Sequence, residues 1–488
     1  MNISLRDIKV SFGEHEVFCG FNWEIAKGEN WLLHGPSGSG KSVLAKVIAN
    51  QIGYGGEVSI GEETAIPNAA QIHYVPNWYE FTNSDGDRNF YYQQRYNHAK
   101  GSDSSTVRAD LKSFAEKYQL DMSGGEEIAQ ELDFQELLNS QLIELSSGEH
   151  KKIQLIKGLL LNPELLILDQ PYNGLDKQAR KKLNLLLERF MENGKQLMIL
   201  QTTMEYPVGI NRFGEVNKET VIQKKPIETT LAESKVTTRP LPDFLMEDSK
   251  ESEGKEVVAM RDIIVRYGDK IVLNKISWTI RHGEAWLLQG HNGSGKSTLL
   301  SLLNADHPQA YSHDIRLFGN QRGSGESIWE IKSKIGMISP ELHWYYDTDL
   351  SVYDTIGSGL YDSIGLYNKL TFFDREKVNS ILRFFDLESL KNKPLGALSL
   401  GKQRQVLLAR TLIKNPELLI FDEPCQGLDD VQTQAFNAIV DELTKQDKTL
   451  IYVGHEESKL PTQLTHRMLL EKGKVIEIGN LEEQIETA

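Results

Sequence analysis

The sequence predicts an α/β protein written twice along one chain, and three observations carry that expectation. A glycine-rich turn occurs in both halves between an apolar strand and a helix. Similar residues recur at a nearly constant offset along the chain. Two wholly apolar runs, Leu165-Leu166-Ile167-Leu168 and Leu418-Leu419-Ile420-Phe421, read as strands of a parallel sheet buried on both faces.

The offset gives the organisation. Phe12 answers Tyr267, Trp31 answers Trp286 and Lys41 answers Lys296, with 296 − 41 = 255. Further on, Ser146 answers Ser399, Asp169 answers Asp422 and Asp176 answers Asp429, with 422 − 169 = 253. So small a drift means one fold, duplicated. The 488 residues suit two or three domains. Each half opens on alternating strands, Ile8–Phe12 and Ile263–Tyr267. After the turn come a helix, a strand and a mainly helical, aromatic-rich middle, residues 77–145 and 340–398. A helix, the apolar strand, another helix and another strand follow. The expected domains are 1–225 and 257–488. Residues 226–256, with Pro226, Pro240, Pro242 and an acidic tail, read as a partly extended linker.

Composition narrows the class. Hydrophobic content of 39% and charged content of 25% describe a globular protein. No run reaches the ~18 apolar residues that span a bilayer, so direct membrane insertion is not expected. The start, Met1 to Asp7, shows no secretion signal. Cys19 and Cys425 form no disulfide framework and suit the cytoplasm. A net charge of −15 argues against nucleic acid as a partner.

The turns are Gly35-Pro36-Ser37-Gly38-Ser39-Gly40-Lys41-Ser42 and Gly290-His291-Asn292-Gly293-Ser294-Gly295-Lys296-Ser297-Thr298. Both match Gly-x-x-x-x-Gly-Lys-Ser/Thr, the phosphate loop of P-loop NTPases. Successive backbone N–H groups and a helix N-terminus converge there on an anion. Gly35, Ser37, Gly38, Gly40, Lys41 and Ser42 are the candidate nucleotide contacts in the first half. Gly290, Asn292, Gly293, Gly295, Lys296, Ser297 and Thr298 are those of the second. Ser42 and Ser297 are candidate Mg²⁺ ligands, with Asp169 and Asp422 at the ends of the apolar strands. Glu423, directly after Asp422, is placed to act as general base on the attacking water. His455 ends the strand Leu450-Ile451-Tyr452-Val453, where it could contact a γ-phosphate. Leu145-Ser146-Ser147-Gly148 and Leu398-Ser399-Leu400-Gly401 each open a helix leading to the aspartate strand.

Phosphate loop, Leu-Ser-x-Gly, Asp-Glu and strand-end His, in that order, resemble the ATP-binding cassette (ABC) ATPase family across nearly the whole chain. The resemblance implies two tandem P-loop domains, each with a mostly parallel core sheet, an antiparallel β subdomain and a helical subdomain. It implies ATP and Mg²⁺ as ligands, and intramolecular head-to-tail pairing that binds two ATP between the cassettes. Tyr267 and Phe12 match the aromatic that stacks on adenine. Ser146 with Gly148, and Ser399 with Gly401, match the signature motif that completes the opposite site. Asp176 and Asp429 match the aspartate of the inter-cassette loop.

The first half departs from the pattern. Gln170 stands where the second half has Glu423, and Thr202 stands opposite His455. Leu400 puts bulk in the second signature. In head-to-tail pairing these departures fall on one site, so hydrolysis is expected mainly at the second phosphate loop. The family's strand-end glutamine is also missing, with Asn77 and Pro340-Glu341 in its place.

A narrower likeness lies in Asp306-His307-Pro308-Gln309-Ala310-Tyr311-Ser312, the run Arg322 to Lys332, and Asp362 to Tyr367. These resemble the ModF-type tandem ATPases, labelled molybdate-transport ATP-binding proteins. That implies a cytoplasmic protein energising a permease on the inner face of the membrane, with an oxyanion such as molybdate as cargo. Two other readings remain open, a regulatory ABC ATPase without permease and a ribosome-associated one. The latter class has a long, charged helical arm between cassettes, unlike residues 226–256. The aromatic clusters Trp78 to Phe81, Phe90 to Tyr92 and Trp344 to Tyr346 read either as subdomain core or as a docking surface.

Overall fold

Apolar runs without alternation have no polar side to present, so they need cover on both faces. In the computed structural model they form the middle of each half. It describes residues 1–13, 15–61, 71–77, 105–142, 145–224, 240–246, 254–267, 270–304, 307–344, 346, 348–454 and 459–481. The chain divides near residue 234 into two compact units.

In the first unit six strands lie in the order Ile72–Val75, Leu165–Asp169, Gln196–Gln201, Trp31–His34, Arg212–Val216, Val221–Gln223. All neighbours are parallel except the last pair. Every residue of Leu165–Asp169 and Gln196–Gln201 is buried. A second, antiparallel sheet joins His15–Ile25, Ile3–Phe12 and Gly55–Ile60. Its central strand buries Ile3, Leu5, Ile8 and Val10, a pattern that skips a beat between Leu5 and Ile8. The register shifts there and Asp7 adopts φ 49°, so a bulge returns the later side chains to the core face. The helices Val107–Tyr118 and Met122–Glu131, capped by Thr106 and Asp121, form the helical part.

The second unit repeats the plan. Its sheet runs Ile335–Ile338, Leu418–Asp422, Thr449–Val453, Ala285–Gly290, His466–Glu471, Lys474–Asn480, with only the last pair antiparallel. Lys270–Arg281, Glu256–Tyr267, Asp314–Leu317 and Asn320–Gln321 make the antiparallel sheet. The bulge recurs between Met260 and Ile263, with Asp262 at φ 49°. Edge-to-face indole pairs recur as well, Trp23–Trp31 at 5.1 Å and Trp278–Trp286 at 5.5 Å. Trp31 donates to Glu29 and Trp286 to Glu284, each two residues upstream. The helices Val352–Ser358, Phe372–Phe384 and Leu400–Leu412 surround a separate apolar core.

One stretch of the expected linker departs from that expectation. Residues 240–246 contain a short 3-10 turn, Asp243–Leu245, and Leu241 and Leu245 are buried in the helical core of the second unit. Two leucines placed to shed water dock this end of the connection, and the strand begins at Glu256.

Candidate functional site

Both phosphate loops leave the C-terminal end of a central strand and enter a helix, Lys41–Ile48 or Lys296–Leu303. The N-caps are Gly40 at φ 93° and Gly295 at φ 103°, and neither helix start carries a side-chain cap. The first N–H groups of each helix are therefore left for an anion. At Gly295 a Cβ would lie 2.7 Å from Leu273 and 3.1 Å from the Val272 carbonyl oxygen, so glycine is required by both space and φ. Lys41 Nζ donates to the carbonyls of Gly35 and Pro36, both at 2.8 Å, and to Ser39 Oγ at 3.1 Å. Lys296 Nζ donates to Gly290 O at 2.7 Å and His291 O at 3.1 Å. Burial pulls the Lys41 ammonium down to about 8, against the opposing pull of Asp169. A phosphate would supply the counter-charge.

Asp169 sits at the end of its buried strand and its Oδ2 accepts from Ser42 Oγ at 2.6 Å and from Tyr74 OH at 2.9 Å. A serine hydroxyl beside a strand-end carboxylate offers hard oxygens that fit Mg²⁺, which is commonly held by one or two protein groups plus substrate phosphates and water. Among the described residues there is no group of three or more His, Cys, Asp or Glu that could hold a metal ion by themselves. Asp422 ends the matching strand of the second unit.

The residue after each aspartate is left-handed, Gln170 at φ 49° and Glu423 at φ 43°. Such a conformation in a non-glycine residue is strained and re-aims the side chain at a strand end. Gln170 and Thr202 are both buried, with 3.5 Å between Gln170 Oε1 and Thr202 Oγ1. Glu423 is partly accessible to solvent. His455 lies outside the described residues.

At the end of its antiparallel strand, Phe12 is 55% exposed. Tyr267 is more enclosed, with its hydroxyl 2.8 Å from His307 Nε2. The signature helices also differ. Ser146 caps Ser147–Leu161 in a reciprocal box with Glu149, and its Oγ donates to Glu149 Oε2 at 2.8 Å. Ser399 caps Leu400–Leu412 without any side-chain cap bond. Instead Gln403 Nε2 donates to Leu398 O at 2.9 Å and Gln403 Oε1 meets His343 Nε2 at 2.6 Å. Gly148 is buried in the first signature helix, and a Cβ on Gly401 would run into the Gln432 amide in the second. Asp176 caps the helix Lys177–Glu192, and Asp429 directly precedes Asp430–Lys445.

Several residues in contact with the site gave no recognisable signal in the sequence. Tyr74 is one, since Met337 holds its place in the second unit. Lys151 is another: fully enclosed, it donates to Pro76 O at 2.9 Å, Asn77 O at 3.3 Å and Asp169 O at 2.8 Å. Burial pulls its ammonium down to about 7. Asn77 also accepts from Asn173 Nδ2 at 2.9 Å, tying the glutamine position to the loop after Gln170. Of the aromatic clusters, Tyr346 is core, 3% exposed and 2.6 Å from Ser358 Oγ. Trp78 to Phe81, Phe90 to Tyr92, Tyr345 and the Trp344 side chain lie outside the described residues.

Two glycine-rich loops at strand ends, each with a lysine, a serine and a strand-end aspartate, define a tandem P-loop ATPase. The family model described as ABC transporter matches residues 18–173 and 273–426. The chain belongs to this ABC family, binds ATP and is an ATPase. It is 32% identical over 465 residues to the ABC transporter ATP-binding protein ModF of Escherichia coli, covering 90% of this chain and 91% of that one. It is 28% identical over 473 residues to an uncharacterized ABC transporter ATP-binding protein of Schizosaccharomyces pombe, covering 94% and 96%. Among solved structures, a complex of the archaeal ribosomal stalk protein with an archaeal ribosome recycling factor aligns over 99% of this chain and 91% of that one. At 16% identity and a TM-score of 0.54, that likeness is one of fold. Among the described residues no helix is long and apolar enough to cross a membrane.

Proposed function

We propose that the chain binds ATP at both phosphate loops and hydrolyses it mainly at the second. One pair of residues carries this reading. Gln170 and Glu423 occupy the same strained turn after the same aspartate, but only Glu423 has a carboxylate. In the second unit Lys296 and the loop N–H groups hold the β- and γ-phosphates. Glu423 draws a proton from the attacking water, whose oxygen bonds to the γ-phosphorus as the bond to the bridging β–γ oxygen breaks. His455 is assigned to the γ-phosphate, and Tyr267 to adenine. Bound Mg²⁺, held through Ser297 and Asp422, would neutralise charge on the phosphate oxygens. In the first unit the same chemistry lacks its proton acceptor and has Thr202 in place of the histidine, so Lys41, Ser42 and Asp169 retain nucleotide without fast turnover.

Single-turnover hydrolysis by Glu423→Gln tests this. A loss of roughly 10²- to 10⁴-fold is expected for removing a general base. Turnover near that of the unaltered protein would falsify the asymmetric reading.

We further read the protein as the energising subunit of a transporter, with molybdate or a related oxyanion as cargo. The support for transport is the similarity to the ABC transporter ATP-binding protein ModF over 90% of this chain; the oxyanion cargo rests on the resemblance of Asp306 to Ser312, Arg322 to Lys332 and Asp362 to Tyr367. The altered glutamine positions, Asn77 and Pro340, favour a second reading, a regulatory ATPase without permease. Affinity capture from native cells in detergent, using Glu423→Gln, separates them. A multi-spanning membrane protein supports transport, and the chain alone supports regulation. Ribosomal proteins with RNA would overturn both.

A further inference from the structure

We propose that His307 and Gln309 are positioning residues that hold Tyr267 ready for the nucleotide base at the second phosphate loop. The inference rests on reading Tyr267 as the base-stacking aromatic and goes beyond it. His307 Nδ1 accepts the backbone N–H of Gln309 at 3.2 Å. A neutral imidazole with Nδ1 accepting carries its proton on Nε2, which then donates to the Tyr267 hydroxyl at 2.8 Å. The imidazole is 1% exposed, so little water competes for that bond. Gln309 grips the preceding residue through its backbone. Its Nε2 donates to Arg266 O at 2.8 Å, and its Oε1 accepts from Arg266 N at 3.4 Å. One segment thus fixes both the main chain before Tyr267 and the end of its side chain.

That segment is itself anchored. His307 caps the 3-10 turn Pro308–Ser312, with proline in the first turn, and Ala310 is fully buried. The first unit has no counterpart. Its connection runs only from Ile48 to Gly55, against Leu303 to Asp314 in the second, and Phe12 has no hydroxyl to hold. A ring already fixed loses less freedom when a base stacks on it, which tightens binding without touching the chemical step.

Steady-state ATP hydrolysis by His307→Ala, Gln309→Ala, Tyr267→Phe and Tyr267→Ala provides the test. KM for ATP should rise about 3- to 10-fold in the first two, with kcat within about twofold. Tyr267→Phe should match His307→Ala, and the pair together should be no worse, because both delete one hydrogen bond. His307→Gln, whose amide nitrogen can stand in for Nε2, should recover part of the loss. If Tyr267→Ala raises KM while His307→Ala and Gln309→Ala do not, the positioning role is overturned. If Tyr267→Ala itself leaves KM unchanged, the base-stacking reading falls instead. Should His307→Ala fail to fold, Gln309→Ala and Tyr267→Phe decide the matter.

Discussion

The two strand-end turns share a backbone and differ in one functional group. Gln170 and Glu423 are both left-handed, within a few degrees of each other, after aspartates that end buried strands. The surroundings then diverge: Tyr74 donates to Asp169 where the second unit has Met337, and Lys151 stands where it has Arg404. A second comparison shows that such divergence can be neutral. In the first unit Tyr172 OH donates to Asn184 Oδ1 at 2.6 Å. In the second, Cys425 replaces that tyrosine, and Tyr452, from the neighbouring strand, reaches the equivalent Asn437 at 3.1 Å. The hydroxyl was kept and its point of attachment moved. Among the described residues no such replacement restores a carboxylate at Gln170, which is why that change reads as functional and the tyrosine exchange as structural.

The comparison can be broken most directly at the lysines. Lys296→Met should lower ATP turnover by at least about 100-fold, through loss of phosphate binding and transition-state charge stabilisation. Lys41→Met should lower it by less than about tenfold; equal losses would mean equal sites. Gln170→Glu should leave single-turnover hydrolysis at the first loop slow, because Thr202 still occupies the neighbouring position. A clear gain from this change alone would show that the carboxylate was all that was missing. Within the tyrosine exchange, Tyr172→Phe and Tyr452→Phe should each lower stability to denaturant by about 1 kcal/mol by removing one hydroxyl donor from an asparagine oxygen, part-buried at Asn184 and buried at Asn437. Combining Tyr172→Cys with Ile199→Tyr should recover part of the loss seen with Tyr172→Cys alone.

The smallest effect concerns pH. Free Lys41 has its pKa pulled down to about 8 by burial, and bound phosphate raises it. Below about 8 the lysine is already charged and contributes fully to ATP binding. Above it, binding requires proton uptake and the dissociation constant should climb. Titration of Glu423→Gln with a fluorescent ATP analogue between pH 7 and 9.5, compared with the same protein carrying Lys41→Met, isolates that contribution.

Much of this was legible in the sequence because it is local. Phosphate loops, apolar strands and the Asp-Gln against Asp-Glu contrast are each written in consecutive residues, and duplication supplied an internal control. Tyr74, Lys151 and Gln432 were not legible, since each acts on a partner distant in sequence and none belongs to a motif. The segment Asp306 to Ser312 stood out as unusual, yet only the bonds from His307 and Gln309 to Tyr267 and Arg266 give it a task. Residues 226–256 misled in part because prolines and acidic residues hid Leu241 and Leu245, and two isolated leucines carry no periodicity.

Those two leucines also belong to the core of the second unit. A cut made downstream of Leu245, for example to produce the second cassette alone, would strip a plug from its helical core and bare the apolar socket beneath. A cut before Pro240 would carry the plug along. Any natural or laboratory separation of the halves, including a split gene or an inserted partner domain, is therefore tolerated better upstream of Pro240 than between Leu245 and Glu256.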